Sequence, residues 1–147
     1  MEIHVIAFGK SNDIEMNQLV TRYSKRISRF TKFYFHVMGE KSKRQKIHQL
    51  IRKTTKKTFF VSLVDTGQQL DSKEFAHLLQ SKRLLSYHQI IFLIGGPYGL
   101  LPYLQKESHY HLSFSRMTLT HQMIRVILLE QIYRALTILG NHPYHHG

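Results

Sequence analysis

The 147-residue sequence predicts an α/β fold, a mainly parallel sheet with helices on both faces. Two observations carry the prediction. Strand-like and helix-like segments alternate from one end of the chain to the other, as βαβ units do. Gln89–Ile94 (QIIFLI) is apolar nearly without a break, the pattern of a strand covered on both faces of a parallel sheet. No internal repeat, linker or second apolar core is visible, so residues 1–147 read as a single domain.

Taken in order, Ile3–Phe8 (IHVIAF) is the first strand. Ser11, Asn12 and Asp13 are candidate helix N-caps. From Ile14 onward, Leu19, Val20, Tyr23, Ile27 and Phe30 recur at helical spacing. Lys32–Met38 (KFYFHVM) is a second strand. Gly39–Lys57 is a basic stretch, helical at most in its second half. Thr58–Val64 is a third strand, closed by the turn residues Asp65, Thr66 and Gly67. Ser72 is placed to cap the next helix, which carries Phe75, Ala76, Leu78 and Leu79 on its apolar side. After Gln89–Ile94, the segment Gly95-Gly96-Pro97-Tyr98-Gly99 breaks the chain sharply, and a short helix is expected around Pro102–Ser108. His111–Leu119 is the fifth strand. His121–Leu139 is the last helix, stopped by Gly140 and Asn141 with Pro143 beyond. Met123, Ile124, Val126, Ile127, Leu128, Leu129, Ile132, Ala135, Leu136, Ile138 and Leu139 leave that helix few polar positions. A helix apolar nearly all round must be covered on more than one side. In a domain this small a second subunit is the expected cover, which predicts a homodimer.

Composition narrows the function. The chain has no Cys, which excludes a disulfide scaffold, a thiol nucleophile, a zinc–thiolate site and an iron–sulfur cluster. No apolar run approaches the roughly 20 residues of a membrane span. The N-terminus reads as a strand rather than a secretory leader, so a cytoplasmic protein is expected. The formal net charge is +12, and it is lopsided. Residues 1–57 hold 14 basic and 4 acidic side chains, whereas residues 58–147 hold 7 and 5. Lys41, Lys43, Arg44, Lys46, Arg52, Lys53, Lys56 and Lys57 occur with no acidic residue among them. Such a one-sided basic surface is the footprint of a polyanion, and these eight residues are the candidate RNA contacts. A solvated basic helix is the plainer alternative. The stretch lacks the apolar face that a membrane-surface helix would need.

Two segments could carry chemistry. Ligands of open α/β sheets bind outside the carboxyl ends of the strands, where Gly95–Gly99 lies. It is neither a dinucleotide fingerprint nor a P-loop, which argues against NAD and NTP chemistry. By itself it is equally a tight turn. The ending Asn141-His142-Pro143-Tyr144-His145-His146-Gly147 concentrates His and Tyr. No carboxylate accompanies the histidines, so no metal site is expected. A frayed tail is the plain alternative.

The segments LIGGPYG, SFSRMTLTHQMIRVILLEQIYRA and NHPYHHG, in that order, resemble the SPOUT-class RNA methyltransferases of the RlmH type, and the resemblance runs from the first strand to the last residues. It implies an α/β fold with a C-terminal trefoil knot and a homodimer joined through the last helix. It also implies S-adenosylmethionine-dependent methylation of N3 of a pseudouridine in 23S rRNA, within the large subunit or 70S ribosome. Carried over by position, the cofactor contacts fall on Leu63, on Gly95 and Gly96, and on Phe114, Ser115, Arg116, Met117, Thr118 and Leu119. Plain strand core would explain Phe114, Met117 and Leu119 as well. Tyr144 and His145 match the family's ending and are the candidates for target-base contact. Arg125 and Arg134 match family positions too, and could meet RNA, steady a base anion or pair with Glu130. His121 also matches, though capping the last helix would explain it. Two positions depart from the family pattern. Tyr98 stands where Glu is frequent, and His146 where a basic residue is usual. Competing readings are a non-enzymatic RNA- or ribosome-binding module and, less favoured, a metal-dependent hydrolase built on the C-terminal histidines.

Overall fold

The computed structural model describes residues 1–39 and 54–147. Lys41, Lys43, Arg44, Lys46, Arg52 and Lys53 lie outside the described residues. Within them the elements are β1 (Glu2–Phe8), α1 (Ile14–Ile27), β2 (Phe33–Met38), β3 (Thr58–Gln69), α2 (Ser72–Leu84), β4 (Gln89–Ile94), α3 (Pro102–Glu107), β5 (Tyr110–Ser113) and α4 (His121–Leu139). The strands form one sheet in the order β2-β1-β4-β3-β5, and every pairing is parallel. The central strand β4 is buried along its whole length, as its unbroken apolar run requires.

Strand alternation divides the core between the two faces. Ile3, Val5, Ala7, Phe59, Val61, Ile90 and Phe92 point to one side, where α1, α2 and α4 pack with Ile27, Phe75, Leu79, Leu128 and Ile132. Ile6, Phe8, Phe60, Ile91 and Leu93 point to the other, against Leu100 and Leu104 around α3. Helix α4 lies between α1 and α2, and none of its residues is exposed. Its own chain buries Leu128, Leu129, Ile132 and Ala135 and leaves Met123, Ile124, Val126, Ile127, Leu136, Ile138 and Leu139 only partly covered.

The helix starts follow capping chemistry. Asp13 accepts a hydrogen bond from the Met16 amide at 3.0 Å and begins α1. Helix α2 is capped by Asp71, not Ser72. The Glu74 amide donates to the Asp71 carboxylate (2.7 Å), and the Asp71 amide donates to the Glu74 side chain (2.9 Å), a reciprocal capping box. The Ser72 hydroxyl instead donates to Gln131 at 2.7 Å and ties α2 to α4. Thr120, not His121, caps α4, accepting from the Met123 amide at 3.2 Å.

Two strand boundaries differ from expectation, and both differences shape the site. Strand β3 does not stop at Asp65-Thr66-Gly67; it continues to Gln69, with its register against β5 jumping between Leu63 and Gln68. Gly67 permits this irregular stretch, because a Cβ there would sit 2.7 Å from the His111 carbonyl carbon. Strand β5 stops at Ser113 instead of running to Leu119. The Ser113 hydroxyl binds the carbonyls of Asp65 (3.1 Å) and Ser115 (2.9 Å), which turns residues 114–119 out of the ladder and into a loop.

Candidate active site

The irregular middle of β3 and the carboxyl ends of β4 and β5 open into a pocket of about 600 Å³, the size of a cleft for a drug-sized ligand or cofactor. Three segments and the start of α4 build it. Leu63, Val64, Asp65 and Thr66 come from β3. Ile94, Gly95, Gly96, Pro97, Gly99 and Leu100 follow β4, and Phe114, Ser115, Met117, Thr118 and Leu119 follow β5. Thr120, His121, Gln122 and Ile124 close it from α4.

Gly95 is the keystone of the second segment. A Cβ there would collide with the backbone of Gly99 and Leu100, so only glycine lets the chain double back so tightly. The Gly99 amide donates to the Gly96 carbonyl at 3.0 Å, and Gly99 has φ +85°. The wall is mixed in character. Leu63, Ile94, Leu112 and Phe114 offer apolar surface, while Asp65, Thr66, Ser115, Thr118 and Gln122 offer polar groups. Asp65 is the one carboxylate among the described lining residues.

Eight of the nine residues expected at the cofactor thus line this pocket; Arg116 does not, and its side chain is exposed. The sequence reading missed Asp65, Thr66, Gln122 and Ile124. Asp65 and Thr66 were hidden because their turn chemistry suggested only a strand end. Gln122 and Ile124 reach the pocket through the placement of α4, which no local pattern encodes.

The residues expected at the target base gather elsewhere. Glu130, in the middle of α4, is the hub. Its Oε1 accepts from Arg134 Nη2 at 2.6 Å, from Arg134 Nε at 3.1 Å and from the Tyr144 hydroxyl at 3.0 Å. Arg134 Nη1 donates to His145 Nδ1 at 3.1 Å. The proton of a neutral His145 then sits on Nε2. The Tyr144 ring meets Tyr133 edge-on at 4.6 Å and carries the Arg134 guanidinium over its face at 4.8 Å. Burial, and secondarily the Glu130 carboxylate, push the Tyr144 phenol up to about 12, so it stays a hydrogen-bond donor near neutral pH. Hydrogen bonding to Glu130 raises the Arg134 pKa. The C-terminal tail is thereby fastened to α4, not frayed.

Arg125 stands apart from this group. It is 3 % exposed, and its Nη2 donates to the carbonyls of Phe8 (3.0 Å) and Gly9 (2.6 Å). It does not pair with Glu130; it fastens the end of β1 to α4. Burial pushes its pKa down, and its Nε has no hydrogen-bond partner among the described residues.

The two described members of the basic cluster flank the opposite end of the sheet. Lys57 Nζ donates to the Leu85 carbonyl at 2.5 Å and lies 4.6 Å from the Tyr87 ring centre. Lys56 is largely exposed, 3.9 Å from Glu2. From Lys57 to Leu63 the strand climbs about 20 Å, so phosphate contacts here would be remote from the pocket. Among the described residues no group of three or more His, Asp or Glu is arranged to hold a metal ion. No helix among them is long and apolar enough to cross a membrane.

A parallel sheet with a glycine-doubled loop and a pocket against β3, β4 and β5 is the setting of the comparisons. The model described as "Predicted SPOUT methyltransferase" matches residues 1–145. The chain belongs to the SPOUT methyltransferase family. Among SPOUT relatives, a "Ribosomal RNA large subunit methyltransferase H" of Trichlorobacter lovleyi is 38% identical over 153 residues, covering 99% of this chain and 100% of the relative. The proteins of that name from Acholeplasma laidlawii and Porphyromonas gingivalis are 37% and 35% identical, each over 99% of both chains. Solved structures share the fold at low identity. The SpoU methyltransferase AviRb of Streptomyces viridochromogenes, in complex with AdoMet, has a TM-score of 0.51 at 9% identity, covering 96% of this chain and 61% of its own. The putative methyltransferase Lpg2936 of Legionella pneumophila, with bound SAM, has a TM-score of 0.55 at 10% identity, covering 92% and 66%.

Proposed function

We propose that this SPOUT methyltransferase transfers a methyl group from S-adenosylmethionine to 23S rRNA of the large ribosomal subunit, at N3 of a pseudouridine. The observation that carries the reading is the pocket, lined by eight of the nine residues to which the family resemblance assigns the cofactor, in a chain matching large-subunit rRNA methyltransferases over nearly its whole length. The pocket fits the cofactor in size and in chemistry. Apolar Leu63, Phe114 and Met117 suit an adenine ring, the glycine backbone allows close approach, and the Asp65 carboxylate suits the cationic parts of the donor. When bound, the cofactor supplies an electrophilic methyl group on a sulfonium. The lining segments would contribute by position, holding the donor and the acceptor base against each other. The trefoil knot belongs to the same reading. Membership in the SPOUT family supports it.

The acceptor N3 must lose a proton. Tyr144, with its raised pKa, serves as a donor or stacking group and not as the base. His145 can accept a proton at Nδ1 only after leaving Arg134. Arg134 Nη1, freed at that moment while Nη2 and Nε stay on Glu130, would be available to the base anion. Within one chain these groups are far from the pocket. Ile124 lines it, whereas Arg134 lies ten residues on, about 15 Å along the helix axis. A homodimer that brings the tail of one protomer to the pocket of the other resolves the separation. The test is a calorimetric titration with S-adenosylmethionine, followed by labelled cofactor on intact ribosomes. Cofactor uptake with label in 23S rRNA is expected. No uptake at millimolar concentration would leave the alternative, a non-enzymatic RNA-binding module.

A further inference from the structure

We propose that Tyr98 is a stacking platform for a nucleobase of the substrate RNA beside the methylated position, a positioning residue particular to this chain. The inference rests on the function proposed above. Tyr98 is 95% exposed, the most exposed of the large hydrophobic side chains among the described residues. Its place gives that exposure meaning. Both flanking residues, Pro97 and Gly99, line the pocket, while Tyr98 between them does not and is open to solvent. Met117, itself a lining residue, is 77% exposed, and the exposed Arg116 precedes it. Two exposed residues, Tyr98 and Arg116, thus sit next in sequence to pocket-lining residues, and Met117 is both lining and exposed.

The turn beneath Tyr98 is stiff. Pro97 fixes one corner dihedral, and the Gly99 amide closes the turn on Gly96 at 3.0 Å. Gly95 packs so tightly under Gly99 and Leu100 that no Cβ fits. A ring carried on such a turn loses only side-chain freedom when it stacks, the economy that makes Tyr a good contact residue. The target base has to enter the pocket to meet the methyl donor, so its neighbours in the strand must pass the rim. Unstacked bases of single-stranded RNA are held by aromatic side chains and guanidinium planes.

The experiment measures methyl transfer from labelled S-adenosylmethionine to purified 50S and 70S particles for Tyr98→Ala, Tyr98→Glu, Tyr98→Phe and Tyr98→Trp. It adds cofactor titration, dimer mass and cofactor-free cosedimentation with the particles. A stacked base is worth about a five- to hundredfold factor. Tyr98→Ala and Tyr98→Glu should raise KM for particles by such a factor, with cofactor affinity and dimer mass unchanged. Tyr98→Phe and Tyr98→Trp should stay near the wild type. The proposal falls if Tyr98→Ala matches the wild type, if Tyr98→Phe is as impaired as Tyr98→Ala, or if the losses follow cofactor affinity or dimer dissociation. Should the wild type transfer no methyl group to rRNA, the catalytic reading fails separately, and cosedimentation decides this one. Weaker binding of Tyr98→Ala sustains the stacking role; equal binding, or none by the wild type, ends it.

Discussion

If the tail of one protomer serves the pocket of the other, two different inactive subunits should make one active site. The perturbation is a pair of variants. Thr118→Trp places an indole in the pocket from an exposed loop position and should block cofactor uptake without disturbing the core. His145→Ala removes the candidate base from the tail. A general base contributes about 10²–10⁴-fold in rate, so each homodimer should fall to a small fraction of wild-type activity. In a heterodimer purified through two different tags, the unblocked pocket belongs to the subunit lacking His145. A symmetric dimer has two equivalent sites, so service by the partner tail restores one of them, about half the wild-type activity per dimer. Service by the subunit's own tail restores none. The structure favours the first outcome because Ile124 at the pocket and Arg134 at the tail are about 15 Å apart along α4, against the roughly 3 Å that proton transfer requires. The assay is label incorporation into 23S rRNA, with heterodimer composition checked by mass. A heterodimer no more active than the homodimers would refute the arrangement and require the tail to detach and fold back over its own pocket.

Gly95→Ala should cost about 1–3 kcal/mol as an overpacked site and abolish cofactor uptake, seen as a lower Tm and a flat calorimetric titration. The pH dependence of stability follows from His36 and His109, whose pKa values are lowered by burial first and then by the nearby charges of His4 and Lys82 respectively. The unfolded chain binds protons at these histidines more readily than the folded one, so stability should fall as pH drops below about 6.5. His109 accepts the Phe60 amide at 2.9 Å through Nδ1, and His109→Gln should flatten that decline; an unchanged acid limb in melts between pH 5 and 7 would contradict it. Lys56→Glu should weaken particle binding and reduce the slope of log K against log salt by about one per lost phosphate contact, whereas an unaltered slope would place the RNA elsewhere. Tyr144→Phe should lower turnover without changing the pH profile between pH 7 and 10, since the phenol does not ionise there; a vanished alkaline limb would show that it does.

What could be read in the sequence was whatever physics acts over a few residues. The apolar run of β4, the spacing after Ile14 and the limits of α4 needed only periodicity and stop signals, and the structure places them at Gln89–Ile94, from Ile14, and at His121–Leu139. Where two local rules competed, a distant partner decided. Asp71 takes the cap of α2 because Glu74 can answer it, while Ser72 is drawn to Gln131 on α4, 59 residues away. β3 outlasts its turn residues because Gly67 can lie against the backbone of β5. β5 ends early because the Ser113 hydroxyl holds the carbonyls of Asp65 and Ser115. These last two irregularities are where the pocket is made, since they swing residues 64–66 and 114–119 toward Gly95.

The division between pocket and tail follows from the same topology. A parallel sheet collects the carboxyl ends of its strands on one side, so the irregular stretch of β3 and the loops after β4 and β5 meet however far apart they are in sequence. The tail has no such compulsion. It returns along α4 because Glu130 offers one carboxylate to both Arg134 and Tyr144, and its anchors, Glu130 and Arg134, lie about 9 and 15 Å beyond Ile124 along the helix axis. An enzyme that needs both must close that gap, either by moving the tail or by borrowing one. The two possibilities differ in cost. Detaching the tail breaks the hydrogen bonds from Tyr144 to Glu130 and from Arg134 to His145 and uncovers Tyr133, at each turnover. Borrowing leaves them intact until the base arrives, when His145 alone must let go of Arg134. On the proposed arrangement only Arg134 Nη1 is freed, the rest of the guanidinium staying on Glu130, and that N–H would face the nitrogen losing its proton.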